Sequence, residues 1–379
     1  MSDCVIPQEA FSRRRTCMLI ITHSCNLNCT YCYEAHKSNR TMSFDVAKAC
    51  IEREIDFVLK SSKYDELEVD FMGGEPFVNF SLIKSVVEWL EKRNMPLPYL
   101  TFATTNGTLI NGDVKRWVEA HKQVLCLGLS YDGSEEMQAA NRGTAPLDID
   151  WFAENWPGQG VRMTVSKETL PRLSEGVRSV WRRGVVCVPA LAHGVEWCDD
   201  DADVLERELK LLMADCLADR LPVSCLSMLT RSLKAVINEG VVKRFCGTGQ
   251  GMVAYDVDGM AYPCHMFSPV VLGDVGALDC EHATICKETT LVDPECSGCS
   301  LANWCPTCYG FNYRMRGDAR LRDHSWCKMV DVIAKISCEF QIRYYFKNKD
   351  RISGKDMSQI KAAIRTYRLI KSGCWHVGR

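Results

Sequence analysis

Twenty-two cysteines in a chain of 379 residues limit what this sequence can fold into more than any other feature, because ten of them fall into two tight groups. Cys25, Cys29 and Cys32 form C-x3-C-x2-C near the start, while Cys246, Cys264, Cys296-x2-Cys299-x5-Cys305-x2-Cys308 and Cys327 occupy the last third. One loop can wrap a metal centre only if its thiolates recur every few residues, so both groups read as iron–sulfur or tetrahedral zinc sites. Structural disulfides, the other use of so many thiols, need an oxidising compartment. Nothing else in the chain points to one: Met1 to Arg15 is polar, with Arg13-Arg14-Arg15 and no apolar signal core. No apolar run approaches the ~18 residues of a membrane span. The expectation is a cytoplasmic protein with no membrane partner.

Lys and Arg number 46 against 48 Asp and Glu, a net of −2, so the basic surplus that nucleic-acid binding normally requires is missing. From residue 18 short apolar runs alternate with amphipathic stretches, the signature of β/α units on a parallel sheet. The pattern predicts strands at Met18–Thr22, Leu67–Met72, Tyr99–Thr105, Val124–Ser130, Gly160–Val165 and Val185–Ala190. Helices are predicted near Phe44–Lys60, Ser81–Arg93, Gly112–His121, Ser174–Arg183 and Asp201–Ala218. Six units fall short of a closed (β/α)8 barrel, so the fold class is α/β, a partial (β/α)6 barrel with its functional loops at the carboxyl ends of the strands. Beyond about residue 235, Gly-rich loops, short strand signals at Met252–Tyr262 and dense cysteines suggest a second, metal-organised region. The expected divisions are an extension at 1–17, the barrel at 18–235, the cluster domain at 236–345 and a helical tail at 346–379, with helical character from Arg343 to Leu369. Cys50, Cys126 and Cys187 lie inside apolar patterns and read as small buried hydrophobes.

For the first group, a zinc site would lack its fourth ligand unless His23 or His36, which flank the loop, supplied it. A cubane held by three thiolates instead leaves one iron open to a substrate or cofactor. The run Cys25-Asn26-Leu27-Asn28-Cys29-Thr30-Tyr31-Cys32 resembles the signature of the radical S-adenosylmethionine (SAM) superfamily. That resemblance implies that SAM chelates the open iron through its amine and carboxylate, and that reduction cleaves its sulfonium to a 5′-deoxyadenosyl radical. It also implies cofactor contacts at Tyr31, at Gly73, Gly74 and Glu75 of Gly73-Gly74-Glu75-Pro76, at Asn106 of Thr105-Asn106-Gly107, and at Ser130 and Arg142. Glycines admit close backbone approach, and the planar fork of Arg suits a carboxylate. Each piece alone could be an ordinary turn; a zinc scaffold or a ferredoxin-like electron carrier are the alternatives.

The second group is similar to the seven-cysteine SPASM domain of peptide- and protein-modifying radical SAM enzymes, except that only Pro306-Thr307 separate Cys305 from Cys308 where the family has three residues. The resemblance implies one auxiliary cluster on Cys246, Cys264 and Cys308 and another on Cys296, Cys299, Cys305 and Cys327, giving three [4Fe–4S] clusters in all. The first set has three members: either one iron is open, or a distant thiol such as Cys225, Cys280 or Cys286 closes the site. For Cys296 to Cys308 a four-Cys zinc ribbon is the alternative.

The resemblance makes the partner a peptide or protein, with an external electron donor of flavodoxin or ferredoxin type. One reading is a thioether or carbon–carbon crosslink in a ribosomally made peptide; the other is formylglycine formation in a sulfatase. Sulfatase maturases typically carry an Asp directly after the cysteine that Cys264 matches, and here His265 stands there. His265 is therefore a candidate base, its alternative being a packing role. Only 17 residues precede the first strand and about 35 follow the last helix, too few for a leader-recognition domain of ~80 residues. Leader binding is accordingly expected from the barrel, the tail or a separate protein.

Overall fold

The computed structural model describes residues 13–144, 147–237, 244–279, 282–287 and 291–373. Strands β1 (Arg14–Thr22), β2 (Glu66–Gly73), β3 (Tyr99–Thr105) and β4 (Leu125–Leu129) lie side by side in chain order, every pair parallel. Strands β5 (Val161–Val165) and β6 (Cys187–Leu191) form a second parallel pair, joined to β4 through a bridge between Ser130 and Arg162. Helices cover the sheet, so its strands are apolar on both faces: in β1, Cys17, Leu19, Ile20 and Ile21 are all buried.

The helices obey local rules. The first, Phe44–Leu59, starts where the Ser43 hydroxyl accepts from the Val46 amide, and it turns Ala47, Cys50, Ile51, Ile55 and Val58 inward. Phe80–Lys92, Gly112–His121, Leu173–Trp181 and Asp199–Leu217 fall within two residues of expectation at each end. Strand β1 begins four residues before the predicted Met18 because its charges are paired: Arg14 bonds Glu66 and Glu68 on β2 at 3.0 and 2.9 Å, and buried Arg15 bonds Glu54 at 2.7 Å. Two helices, Glu135–Arg142 and Ile149–Asn155, have no counterpart in the sequence pattern. The first buries Met137, Gln138, Asn141 and Arg142, an inner face with a single apolar residue and hence no stripe to detect.

The cysteine-rich region is tied into the main sheet, which its local pattern could not announce. Strand β7 (Met252–Tyr255) pairs in parallel with the free edge of β1, and β8 (Ala261–Tyr262) turns back antiparallel to β7. The helical tail expected over Arg343–Leu369 is two helices, Cys327–Lys347, which starts at a cysteine of the second group, and Gly354–Lys371, capped by the Ser353 hydroxyl accepting from the Asp356 amide. The first of them lies against Asp199–Leu217, where Lys335 bonds Glu206 at 2.9 Å, and Gln341 donates to the carbonyls of Leu229 and Arg231, both at 2.9 Å. Cys50 and Cys187 are buried as expected, whereas Cys126 is half-buried. None of the helices is long and apolar enough to cross a membrane, among the described residues.

Candidate functional site

The loop that follows β1 carries Cys25, Cys29 and Cys32, and hydrogen bonds from three directions fix it. The backbone of Gly74 and Glu75 donates to Thr22 and Ser24 carbonyls at 3.1 and 3.0 Å; the Thr30 amide donates to Asn141 at 2.9 Å. On the side of the cysteine-rich region, the His23 ring meets the fully buried Asp256 carboxylate at 2.6 Å. A Cβ on Gly73 would lie 2.3 Å from the Thr22 carbonyl, and one on Gly74 2.3 Å from that of Ser24. Both glycines are therefore required by the packing of the β2 end onto the cysteine loop, whatever ligand they also face.

Glu75 is almost fully buried, and its carboxylate accepts from the Thr105 hydroxyl at 2.7 Å, the Asn106 amide at 2.8 Å and the Phe77 amide at 3.2 Å. It therefore locks the end of β3 to the turn after β2. The Asn106 side chain reaches Asn26 inside the cysteine loop at 3.0 Å. Glu75→Ala strands three buried donors, and we expect a loss of about 1–3 kcal/mol of stability. A denaturant titration checks this, and an unchanged unfolding midpoint counts against the bracing role.

The turn after β4, Ser130-Tyr131-Asp132-Gly133, supplies a residue whose role only the fold reveals. Asp132, with no solvent exposure, receives Nε and one Nη of Arg142 at 3.1 and 3.3 Å, the Tyr31 hydroxyl at 2.5 Å, the Thr164 amide at 2.9 Å and the Asn141 side chain at 3.1 Å. One carboxylate thus orients both Tyr31 and Arg142, whose guanidinium lies 5.5 Å over the Tyr31 ring. Burial is the largest influence on Arg142, yet Asp132 and Tyr31 outweigh it and hold the guanidinium above its usual range. Arg142 stays charged.

Tyr31, Glu75, Asn106 and Arg142 face one cavity of about 450 Å3 at the carboxyl ends of the strands, with Asp132 behind its lining. It is lined by Cys25, Cys29, Cys32, Tyr31, Gly73, Gly74, Glu75, Asn106, Ser130 and Arg142, and on its far wall by Cys308, His265, Phe311 and Tyr33. His193, two residues beyond the end of β6, also lines it and stacks between Phe311 and Trp326 at 5.4 and 4.7 Å. Tyr33 and His193 went unnoticed in the sequence, although the rule that sites gather past the carboxyl ends of barrel strands would have found His193. Burial holds the His193 and His265 imidazoles down at about 4, so both are neutral near pH 7. His265 Nδ1 is buried without a hydrogen-bond partner.

Next to Cys308 of the far wall, buried Cys264 feels both Cys308 and Cys246, Cys308 feels Cys246, and burial pushes the Cys264 and Cys308 thiols up to about 12 and about 11. Gly310 permits this arrangement: a Cβ there would meet that of Met266 at 2.3 Å, so the helix Tyr309–Arg316 can sit directly on the turn that carries His265. Of the three candidate closing thiols, Cys225 belongs to the main hydrophobic core beside Cys187 and Cys216. The Cys286 sulfur sits against Gly249 with Arg244 and Arg15 as its charged neighbours, and Cys280 lies outside the described residues. Cys296, Cys299, Cys305 and Cys327 converge separately: Cys305 feels the other three, and burial lifts it to about 12. Every described cysteine is a free thiol. Sets of three, three and four unbridged thiols suit thiophilic iron clusters, since metal binding replaces the protons that burial retains.

A family described as a 4Fe-4S single cluster domain matches residues 14–144. Over 178 residues the chain is 31% identical to an uncharacterized protein of Methanocaldococcus jannaschii, a match covering 44% of this chain and 59% of that protein. It is 26% identical over 127 residues to the radical SAM cyclopropyl synthase TigE of Paramaledivibacter caminithermalis, covering 30% and 26% of the two chains. It is 31% identical over 123 residues to a cysteine-type anaerobic sulfatase-maturating enzyme of Clostridium perfringens, covering 31% and 32%. The match thus spans under two thirds of each relative's length. Among solved structures, anSMEcpe with bound AdoMet and a Cp18Cys peptide shares the fold at a TM-score of 0.63, with 17% identity over 89% of this chain and 99% of that one.

Proposed function

We propose that this chain, a radical SAM enzyme by its relatives and its fold, removes hydrogen from carbon in a peptide and closes a thioether or carbon–carbon crosslink. The observation that carries this reading is the single cavity with Cys25, Cys29 and Cys32 on one wall and Cys308 with His265 on the other. A substrate seated there touches both a SAM-binding triad and the first auxiliary set. In this reading residues 18–235 form the partial (β/α)6 barrel and residues 236–345 the SPASM region, with [4Fe–4S] clusters on the two triads and on the four-cysteine set. When bound, the clusters and SAM supply reductive SAM cleavage, hydrogen abstraction and a sink for the surplus electron.

The chain's own residues position and exclude. Arg142, held by Asp132, presents a fixed cation to the cofactor carboxylate, and Ser130, Asn106 and the backbone of Gly73 and Gly74 take its remaining polar groups. The unpartnered Nδ1 of His265, held neutral by burial, offers the substrate a hydrogen-bond acceptor. Tyr33 and Phe311 close the wall against water. Three cysteines in the first auxiliary set leave an iron free for a substrate thiolate when the product is a thioether.

The balance is fixed: one electron enters, one hydrogen atom leaves in 5′-deoxyadenosine, and a proton and an electron depart as the bond closes. Incubation with a peptide encoded beside the gene should therefore give a product lighter by two hydrogens, one 5′-deoxyadenosine per event, and deuterium transfer from a labelled peptide carbon. Unchanged mass with solvent deuterium at an α-carbon would indicate epimerisation instead. The second reading, formylglycine formation, is favoured by the Clostridium perfringens relative; conversion of a sulfatase-derived peptide alone would establish it. Arg142→Ala should weaken SAM binding by about 1–3 kcal/mol at unchanged iron content, and undiminished affinity would remove its assigned role.

A further inference from the structure

The four-cysteine set has a neighbour of its own, Arg322. This side chain is 6% exposed, and no carboxylate pairs with its guanidinium among the described residues. One Nη donates to the Ala302 carbonyl at 2.8 Å, while Nε is buried and bonds to nothing. The Asp293 carboxylate, which would otherwise neutralise it, is engaged elsewhere: it takes the backbone amides of Arg322 at 2.7 Å and Glu295 at 2.9 Å and faces His324 at 3.2 Å. Arg322 and Cys305 line one cavity, Cys296 and Cys305 feel Arg322 more than any other charged group, and Cys299 feels the Asp331 carboxylate first and Arg322 next. His324 Nδ1 lies 3.9 Å from the Cys327 sulfur. Groups facing the other auxiliary set differ in kind. Cys264 meets the Thr248 hydroxyl and the Met266 amide, and Cys308 meets the amides of Gly310 and Phe311.

A desolvated cation with an idle N–H is expensive to bury unless something anionic takes it. A cluster on four thiolates is anionic, and it gains one more negative charge on reduction. Nearby cations and N–H donors to sulfur therefore favour the reduced form and raise the potential. We propose that Arg322 sets the reduction potential of the cluster held by Cys296, Cys299, Cys305 and Cys327, through its fixed, buried charge and its unpartnered Nε–H. The inference rests on the auxiliary-cluster reading above. It assigns to this cluster a tuning cation that the other auxiliary set, met by backbone amides and a hydroxyl, does not share among the described residues.

The test is a mediated redox titration of the reconstituted full-length protein, followed by electron paramagnetic resonance with iron counted in each sample. In Arg322→Gln one midpoint should fall by at least about 59 mV, a tenfold shift in a one-electron equilibrium, while the other two stay in place. Arg322→Lys, which keeps the charge, should retain most of the wild-type value, and Arg322→Met serves as a second neutral variant should the Gln protein load poorly. Three unmoved midpoints at full iron content overturn the proposal, as does an equal fall in the Lys and Gln variants. Wild-type protein holding about eight iron rather than about twelve would instead overturn the cluster reading, and this inference with it.

Discussion

Replacing Cys25, Cys29 and Cys32 together with Ala is expected to remove about four of about twelve iron and to end 5′-deoxyadenosine formation altogether. The three thiols are free, share one loop and line one cavity, so no neighbouring set can stand in for them. The fold should survive, because the loop is held by backbone bonds to Thr22, Ser24 and Asn141 and by the His23–Asp256 contact, none of which involves a cysteine side chain. Anaerobic iron analysis and chromatography of the nucleoside products provide the check. Continued SAM cleavage in the triple variant would dismiss the loop as the site of cofactor binding.

The second large effect belongs to Asp132. Asp132→Asn keeps the volume but removes the charge that pairs with buried Arg142 and the acceptor that Tyr31, Thr164 and Asn141 share. Breaking a buried pair from one side costs about 3–5 kcal/mol, because the remaining charge is left without its partner. A clear drop in the unfolding midpoint should therefore accompany loss of SAM affinity. The double variant Asp132→Asn with Arg142→Met should recover much of the stability and none of the affinity. That split separates the structural share of the pair from its binding role. Equal stability in Asp132→Asn and the wild type would show that the network carries no such load.

How much of this was legible in the chain differs from element to element. Five helices and six strands announced themselves through apolar periodicity, because each buries a continuous face against the sheet and the pattern is written within a single segment. The helix Glu135–Arg142 did not, since its inner face is turned to the site and carries Gln138, Asn141 and Arg142 in place of apolar residues. Gln138 illustrates the reason: it is fully buried, yet its side chain accepts the Asp132 amide at 2.9 Å, so it serves the site network and not the core. His193 and Tyr33 escaped for a related reason, being single residues with no spacing to mark them.

The sequence by itself determined the thiol inventory and its grouping, because ligands that hold one cluster from one loop must lie close along the chain. It also determined the alternation of strands and helices and the motifs at the ends of β1 to β4. Tertiary structure alone decided what those pieces face. Residues more than two hundred positions apart, such as His23 and Asp256, or Arg15 and the Gln250 carbonyl, join the cysteine-rich region to the first strand. Pairing of β7 with β1 brings Cys308 and His265 to the wall opposite the first triad. Contacts of that kind depend on which edge remains unpaired and which charges remain buried once the sheet has formed, and no local pattern encodes either.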